Sequence, residues 1–270
     1  MPALTTALRN EYQQLFDSCQ ILPERQALVN QMTQQLRNAE ARYRGVADPL
    51  GIPWYVVAVL HAMEGGLDFK RHLHNGDPLA ERTVQVPAGR PKVGTPPFTW
   101  EQSANDALRL DRYDSWSDWS VPGILYKWEG YNGWGYRSYH PECKSPYLWS
   151  MSSHYSRGKY VADGTWSPTA VSKQVGAAAL LRRLAELGLV DAPSFASTAN
   201  DAQLARALAK SSAALRYSPA KVLPGALELQ QFLNRFPGIF LREDGKLGDR
   251  SSEAFQQVFG HYLQGDPRDA

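Results

Sequence analysis

From Leu4 to Arg44 apolar positions recur at helical spacing, at Leu4, Leu8 and Leu15 and again at Leu28, Val29, Met32 and Leu36. They predict two helices broken near Pro23, where the chain lacks an amide donor. The next run, "WYVVAVLHAMEGG" from Trp54 to Gly66, is so apolar that it is meant for burial. Its β-branched residues allow a buried strand, but its length, Pro53 at its start and Gly65-Gly66 at its end favour a helix. Residues 70–94 carry Asn75-Gly76, a tight-turn pair, and "RTVQV", which reads as a strand, so a β-hairpin or irregular β excursion is expected.

Helices resume at "TWEQSANDALRL", where Thr99 and Gln102 form a capping box, and at "SVPGILYKWEGY", with Ser120 as cap and Pro122 in the first turn. Residues 132–165 read as an aromatic loop. A further helix is expected from Ser167 as N-cap to Gly188. The pattern changes after residue 190, so residues 1–190 form a first domain, 191–221 a linker carrying an alanine-rich helix, and 222–270 a helix, an Asp-Gly turn and a second helix.

Composition alters this picture only modestly. The 270 residues are 43% hydrophobic and 21% charged with a net charge of +2, an ordinary globular balance. No Lys/Arg block argues for nucleic acid, and no apolar run reaches the ~18 residues of a membrane span. No signal peptide is visible. Cys19 and Cys143 are too few for a disulfide framework, although one bridge is allowed. All eight tryptophans fall between Trp54 and Trp166, beside loops rich in Asn, Gly and Ser, a distribution that suits platforms for flat ligands such as sugar rings.

Candidate chemistry centres on Glu64. A carboxyl at the end of a buried helix is pushed towards its protonated form by both the apolar surround and the helix dipole. A carboxylic acid still protonated near neutral pH is what a glycosidic leaving group requires. Asn75, Asp77 and Thr83 sit on a turn expected to hang over that helix end, where a second group could stabilise an oxocarbenium-like centre or orient water. Asp68 and Glu129 are further carboxylates. His61 makes a His-x-x-Glu pair with Glu64, and His72, His74, His140 or His154 could complete a zinc site, an alternative reading. In "KWEGYNGWGYRSYH", Tyr131, Trp134 and Tyr136 alternate with glycines, and Asn132 offers a donor and an acceptor, so a sugar-binding loop is expected.

"LHAMEGG", a β excursion and "YNGWGY" in a helical frame together resemble the lysozyme superfamily: phage-type and goose-type muramidases, lytic transglycosylases and helical chitinases. The resemblance spans roughly residues 50–185. It implies a mainly α, lysozyme-like α+β fold with a small β-hairpin subregion, followed by a small helical C-terminal segment. It also implies peptidoglycan glycan strands as substrate, cleavage of the β-1,4 bond between N-acetylmuramic acid and N-acetylglucosamine, Glu64 as general acid and no cofactor or metal. Asp77 and Thr83 are the candidates for a second catalytic group, and His61, His74, Asn75, Tyr131, Asn132, Trp134 and Tyr136 for substrate contact. Asp77 and Thr83 come later than the Asp and Thr of phage-type enzymes, and the Glu-Ser and Gly-Leu-Met-Gln segments of transglycosylases are absent. The tail, with Leu229-Gln230, "DGKLG" and Ser252, Ala254 and Phe255, resembles the helical peptidoglycan-binding repeat. Action in the periplasm or at the cell wall follows from the resemblance. The route there would be a holin, a dedicated secretion system with an immunity protein as partner, or a place within a longer chain.

Overall fold

A computed structural model describes residues 2–190, 215–234, 236 and 238–268. The chain divides into two compact units, Met1–Val190 and Asp191–Ala270. The alanine-rich helix expected in the linker lies outside the described residues.

The first unit is built around one buried helix. Three helices, where two were expected, lead into α4 (Trp54–Gly65): α1 (Thr6–Asp17), α2 (Gln26–Asn38) and α3 (Glu40–Ala47), the last two parting at Ala39. α4 starts after Pro53 in extended conformation and ends where Gly66 turns left-handed at φ 58°. Helices α2, α3 and α9 (Ala177–Glu186) pack around it. Of the twelve α4 residues, Glu64 alone is not buried. A helix apolar on every side belongs in a core, and each fully buried Val or Leu contributes roughly 1.5–3 kcal/mol.

α5 (Trp100–Leu110) begins with the expected capping box, Thr99 accepting from the Gln102 amide and Gln102 accepting from the Thr99 amide. α6 (Val121–Asn132) is capped by Ser120. Two short helices, α7 (Gly135–Tyr139) and α8 (Pro146–Trp149), occupy the segment expected to be loop.

The β structure differs from expectation in place. Among the described residues the sheet is a single antiparallel pair, β1 (Lys159–Ala162) and β2 (Thr165–Ser167), turning at Asp163-Gly164. Residues 70–94 form the irregular excursion instead of a hairpin, with one isolated bridge between Arg71 and Pro78. "RTVQV" makes no strand: Val84 and Val86 are 80% and 89% exposed, and the Val84 and Gln85 amides bond the Asp77 carboxylate rather than a neighbouring strand. Ser167, expected as a helix N-cap, instead pairs with Lys159 in β2, and α9 begins ten residues later, behind Gly176.

In the second unit, α10 (Ala226–Leu233) and α11 (Asp249–Phe259) share an apolar cluster that includes Leu229, Phe232, Leu241, Leu247 and Phe255. Gln230, 1% exposed, knots the intervening turn. Its carbonyl accepts the amides of Asp244 and Gly245, and its NH2 donates to Asp244 Oδ1 and the Lys246 carbonyl. The Gln and Asp-Gly of the tail motif are thus one hydrogen-bonded unit, a buried amide satisfying a turn that no secondary structure satisfies. Cys19 and Cys143 are both free. Among the described residues no single helix is long and apolar enough to cross a membrane.

Candidate active site

Glu64 stands in the last turn of α4, where the carbonyls run out of helical partners. Neighbouring segments occupy that end. Gln174 donates to the Met63 carbonyl at 2.6 Å, and the Gly66 amide returns to the His61 carbonyl. The excursion comes over it as well, since a Cβ at Gly76 would lie 2.6 Å from the Glu64 carbonyl oxygen. Gly76 has φ 77°, so the turn requires glycine both for backbone conformation and for clearance.

The carboxyl is half-buried, and the Tyr147 phenol of α8 donates to its Oε1 at 2.7 Å. Burial raises its pKa from 4.5 to about 7; the Tyr147 hydrogen bond pulls it down, and the Asp111 charge pushes it up. Burial dominates because the ionised form has lost water without gaining a cation.

An aromatic cavity of about 410 Å³ lies between the end of α5 and α6. Three of its lining residues, Asp111, Tyr113 and Tyr131, are within electrostatic reach of Glu64. Trp116 and Tyr126, also in the lining, stack at 5.7 Å. The Tyr131 hydroxyl is fixed on the Leu73 carbonyl at 2.8 Å. The Tyr113 hydroxyl is buried without a hydrogen-bond partner. Lys127 bonds the Asp111 carbonyl at 2.7 Å and sits 4.3 Å from the Tyr113 ring centre. The volume falls within the ~300–1,000 Å³ of ordinary ligand sites.

The structure brings Glu64 and Tyr131 together and gives most other expected site residues different work. His61 is wholly buried among Tyr43, Phe69 and Trp100, with Nδ1 on the Tyr43 hydroxyl at 2.9 Å; it is a core residue. Burial lowers its pKa to about 4, so it is neutral. His74 is likewise internal, bonding Asp106 at 2.8 Å through Nε2, and Arg90 shares that carboxylate. Asp77 accepts from Val84, Gln85 and Asn75, which together hold its carboxyl below the usual range against the opposing effect of burial. Thr83 is 3% exposed and donates to the Pro87 carbonyl while accepting the Arg90 amide. Asn75, Asp77 and Thr83 therefore hold the excursion in shape.

In the "YNGWGY" segment, Asn132 ends α6 exposed and Trp134 packs on Tyr126 at 5.1 Å. Tyr136 is buried against Tyr160 and Trp166, its hydroxyl accepting the Tyr160 amide. Asp68 is exposed and paired with Arg71. Glu129 is buried on α6, bonded by Tyr12 and Arg137. Among the described residues no group of three or more His, Cys, Asp and Glu side chains could hold a metal ion.

Tyr147, Tyr113 and Asp111 were not singled out by the sequence. Tyr147 comes from "KSPYLW", in the stretch read as loop, and is separated from Glu64 by 83 positions. No local spacing signals that pairing. Comparison with protein families, with curated proteins and with solved structures finds no match.

Proposed function

We propose that residues 1–190 form a lysozyme-like domain acting as a muramidase, which cleaves the β-1,4 bond between N-acetylmuramic acid and N-acetylglucosamine in peptidoglycan. The carrying observation is Glu64: the one residue of a buried helix that is not buried, with its pKa lifted to about 7 and within electrostatic reach of Asp111, Tyr113 and Tyr131, which line an aromatic cavity. In this reading Glu64 holds a proton in the resting enzyme and delivers it to the glycosidic oxygen as the C–O bond breaks. Tyr131, Trp116 and Tyr126 supply faces for a pyranose ring, and the Tyr113 hydroxyl supplies a hydrogen bond to a sugar substituent. Asp111, whose carboxylate is felt at Glu64, supports the positive character that develops at the anomeric carbon. Residues 222–270 bind the wall by their resemblance to the peptidoglycan-binding repeat.

A second reading is a lytic transglycosylase, in which the muramyl 6-hydroxyl replaces water. It is favoured by the commitment of Asp77 to loop amides, which leaves Glu64 without a nearby free carboxylate from the excursion. Mass spectrometry of digested sacculi separates the readings. Reducing ends support the hydrolase, and 1,6-anhydro ends, lighter by one water, support the transglycosylase. Released peptides alone would sink both and point to a peptidase. Binding with no soluble product would leave a wall-binding protein. The matched control is Glu64→Gln, expected to lower cleavage by roughly 10²–10⁴-fold, the usual contribution of a general acid; near wild-type lysis by this variant would overturn the assignment.

A further inference from the structure

A second cavity, of about 220 Å³, shares no lining residue with the aromatic one between α5 and α6. Its walls include Glu11 of α1, Glu129 of α6, Arg137 of α7, and Lys144, Ser145 and Trp149 around α8. The four charges alternate: Arg137 bonds Glu11 and Glu129 at 3.0 Å each, and Lys144 bonds Glu11 at 2.9 Å. The lining is therefore electrically neutral but strongly dipolar.

Ser145 marks this cavity as a built site rather than a packing gap. It occupies the N-cap position of α8 but makes no side-chain cap bond. Its side chain is 5% exposed, and Oγ has no hydrogen-bond partner. A buried hydroxyl left unpaired costs about 1–3 kcal/mol, so such a group calls for an occupant that bonds it. The charged groups have capacity to spare as well: Lys144 uses one of its three donors, and each terminal nitrogen of Arg137 uses one of two.

We infer that this cavity binds a small zwitterion of the α-amino acid type, its carboxylate on Lys144 and Arg137 and accepting from the Ser145 hydroxyl, and its ammonium on Glu11 and Glu129. The charge pattern selects this class. A lone anion drawn to the two cations would sit beside the two carboxylates, and a lone cation would meet the converse problem. A ligand carrying both signs a few ångströms apart satisfies both halves at once. The volume is smaller than the ~300–1,000 Å³ of drug-sized sites and fits a ligand of few heavy atoms. The inference is independent of the Glu64 reading and uses none of its residues.

The test is calorimetric titration of the full chain with alanine, with acetate and ethylammonium as single-charge controls, accompanied by amide NMR shifts. Alanine should bind saturably with shifts at residues 143–149, and each control should bind at least about tenfold more weakly, as expected when a charge-assisted bond is lost. Ser145→Ala should weaken alanine binding by about threefold to tenfold, the usual range for one hydrogen bond. Lys144→Gln, at a partly exposed position, provides the same test should Ser145→Ala fold poorly. Absence of a saturable alanine shift, equal binding of acetate, or unchanged affinity in the folded variants would each overturn the inference and leave a water-filled cavity.

Discussion

The Tyr147 phenol donates a 2.7 Å hydrogen bond to the Glu64 carboxyl, joining a short helix near residue 147 to the end of the central helix α4. It is the direct polar contact that lowers the pKa of Glu64, working against a larger effect of burial. Tyr147→Phe removes it. Glu64 should then hold its proton to higher pH, and the basic limb of the kcat profile should move up by as much as about one pH unit, the worth of one charge-assisted bond. A pH–rate profile of the purified variant checks this; an unmoved limb would show that the phenol does not govern the titration.

Glu64 also makes stability depend on pH. Its folded pKa, about 7, lies above the ordinary 4.5, so the unfolded chain ionises first as pH rises. Stability is therefore lost from pH 4.5 upward and levels off above pH 7. Glu64→Gln should be more stable than the parent at pH 8 by on the order of 3 kcal/mol, and the difference should vanish near pH 4. Urea unfolding across that range reads it directly.

His61, one turn earlier, has the opposite sign. Burial lowers its pKa from 6.5 to about 4, so the unfolded chain takes up the proton first as pH falls, and stability drops from pH 6.5 towards 4. The two slopes oppose each other between pH 4.5 and 6.5 and flatten the parent profile. His61→Gln should be less stable overall through lost aromatic packing, yet its stability should rise steadily on acidification over that window. A parallel profile in parent and variant would contradict the assigned titration.

Thr83 separates a catalytic role from a structural one. Its hydroxyl is held between the Pro87 carbonyl and the Arg90 amide. Thr83→Val should cost about 1–3 kcal/mol by leaving those groups unpaired. At a temperature where the variant is folded, kcat should fall less than the ~10²-fold minimum expected of a lost general base. A larger fall in kcat with unchanged stability would restore the catalytic reading.

Gly76→Ala probes how the excursion sets the acid. The new Cβ would lie 2.6 Å from the Glu64 carbonyl oxygen, at a residue with positive φ. Strain of about 1–3 kcal/mol is expected. The end of α4 must shift to relieve the clash, so kcat should fall by tenfold or more, given that a 1 Å misplacement can cost about 10²-fold. Melting temperature and kcat measured together distinguish this from simple unfolding.

Much of the helical frame was legible because its signals are local. The Pro23 break, the Thr99-Gln102 capping box, the Ser120 cap and the Gly66 terminator are each decided by residues within a few positions of one another. The misplaced hairpin shows where local signals fail. Asn75-Gly76 and Asp163-Gly164 are both good turn pairs, yet strand pairing follows the second and not the first. At the first, the Asp77 carboxylate takes the amides that a partner strand would need, and the neighbouring prolines offer none. The late start of α9 has the same origin, since Ser167 is drawn into the sheet by pairing with Lys159.

The sequence by itself determined that α4 would be buried and would carry a carboxylate at its end, because a long apolar run opened by Pro53 and closed by two glycines favours a core helix over a strand. Which side chains surround that carboxylate was decided only by tertiary packing. His61 and Glu64 lie three residues apart, yet one is enclosed by Tyr43, Phe69 and Trp100 and the other meets the Tyr147 hydroxyl. Tyr113, Tyr131 and Tyr147 come from three separate segments, and no periodicity in the chain records that they converge. Helix ends are written in neighbouring residues, whereas the pKa of a buried acid depends on atoms brought to it from across the fold.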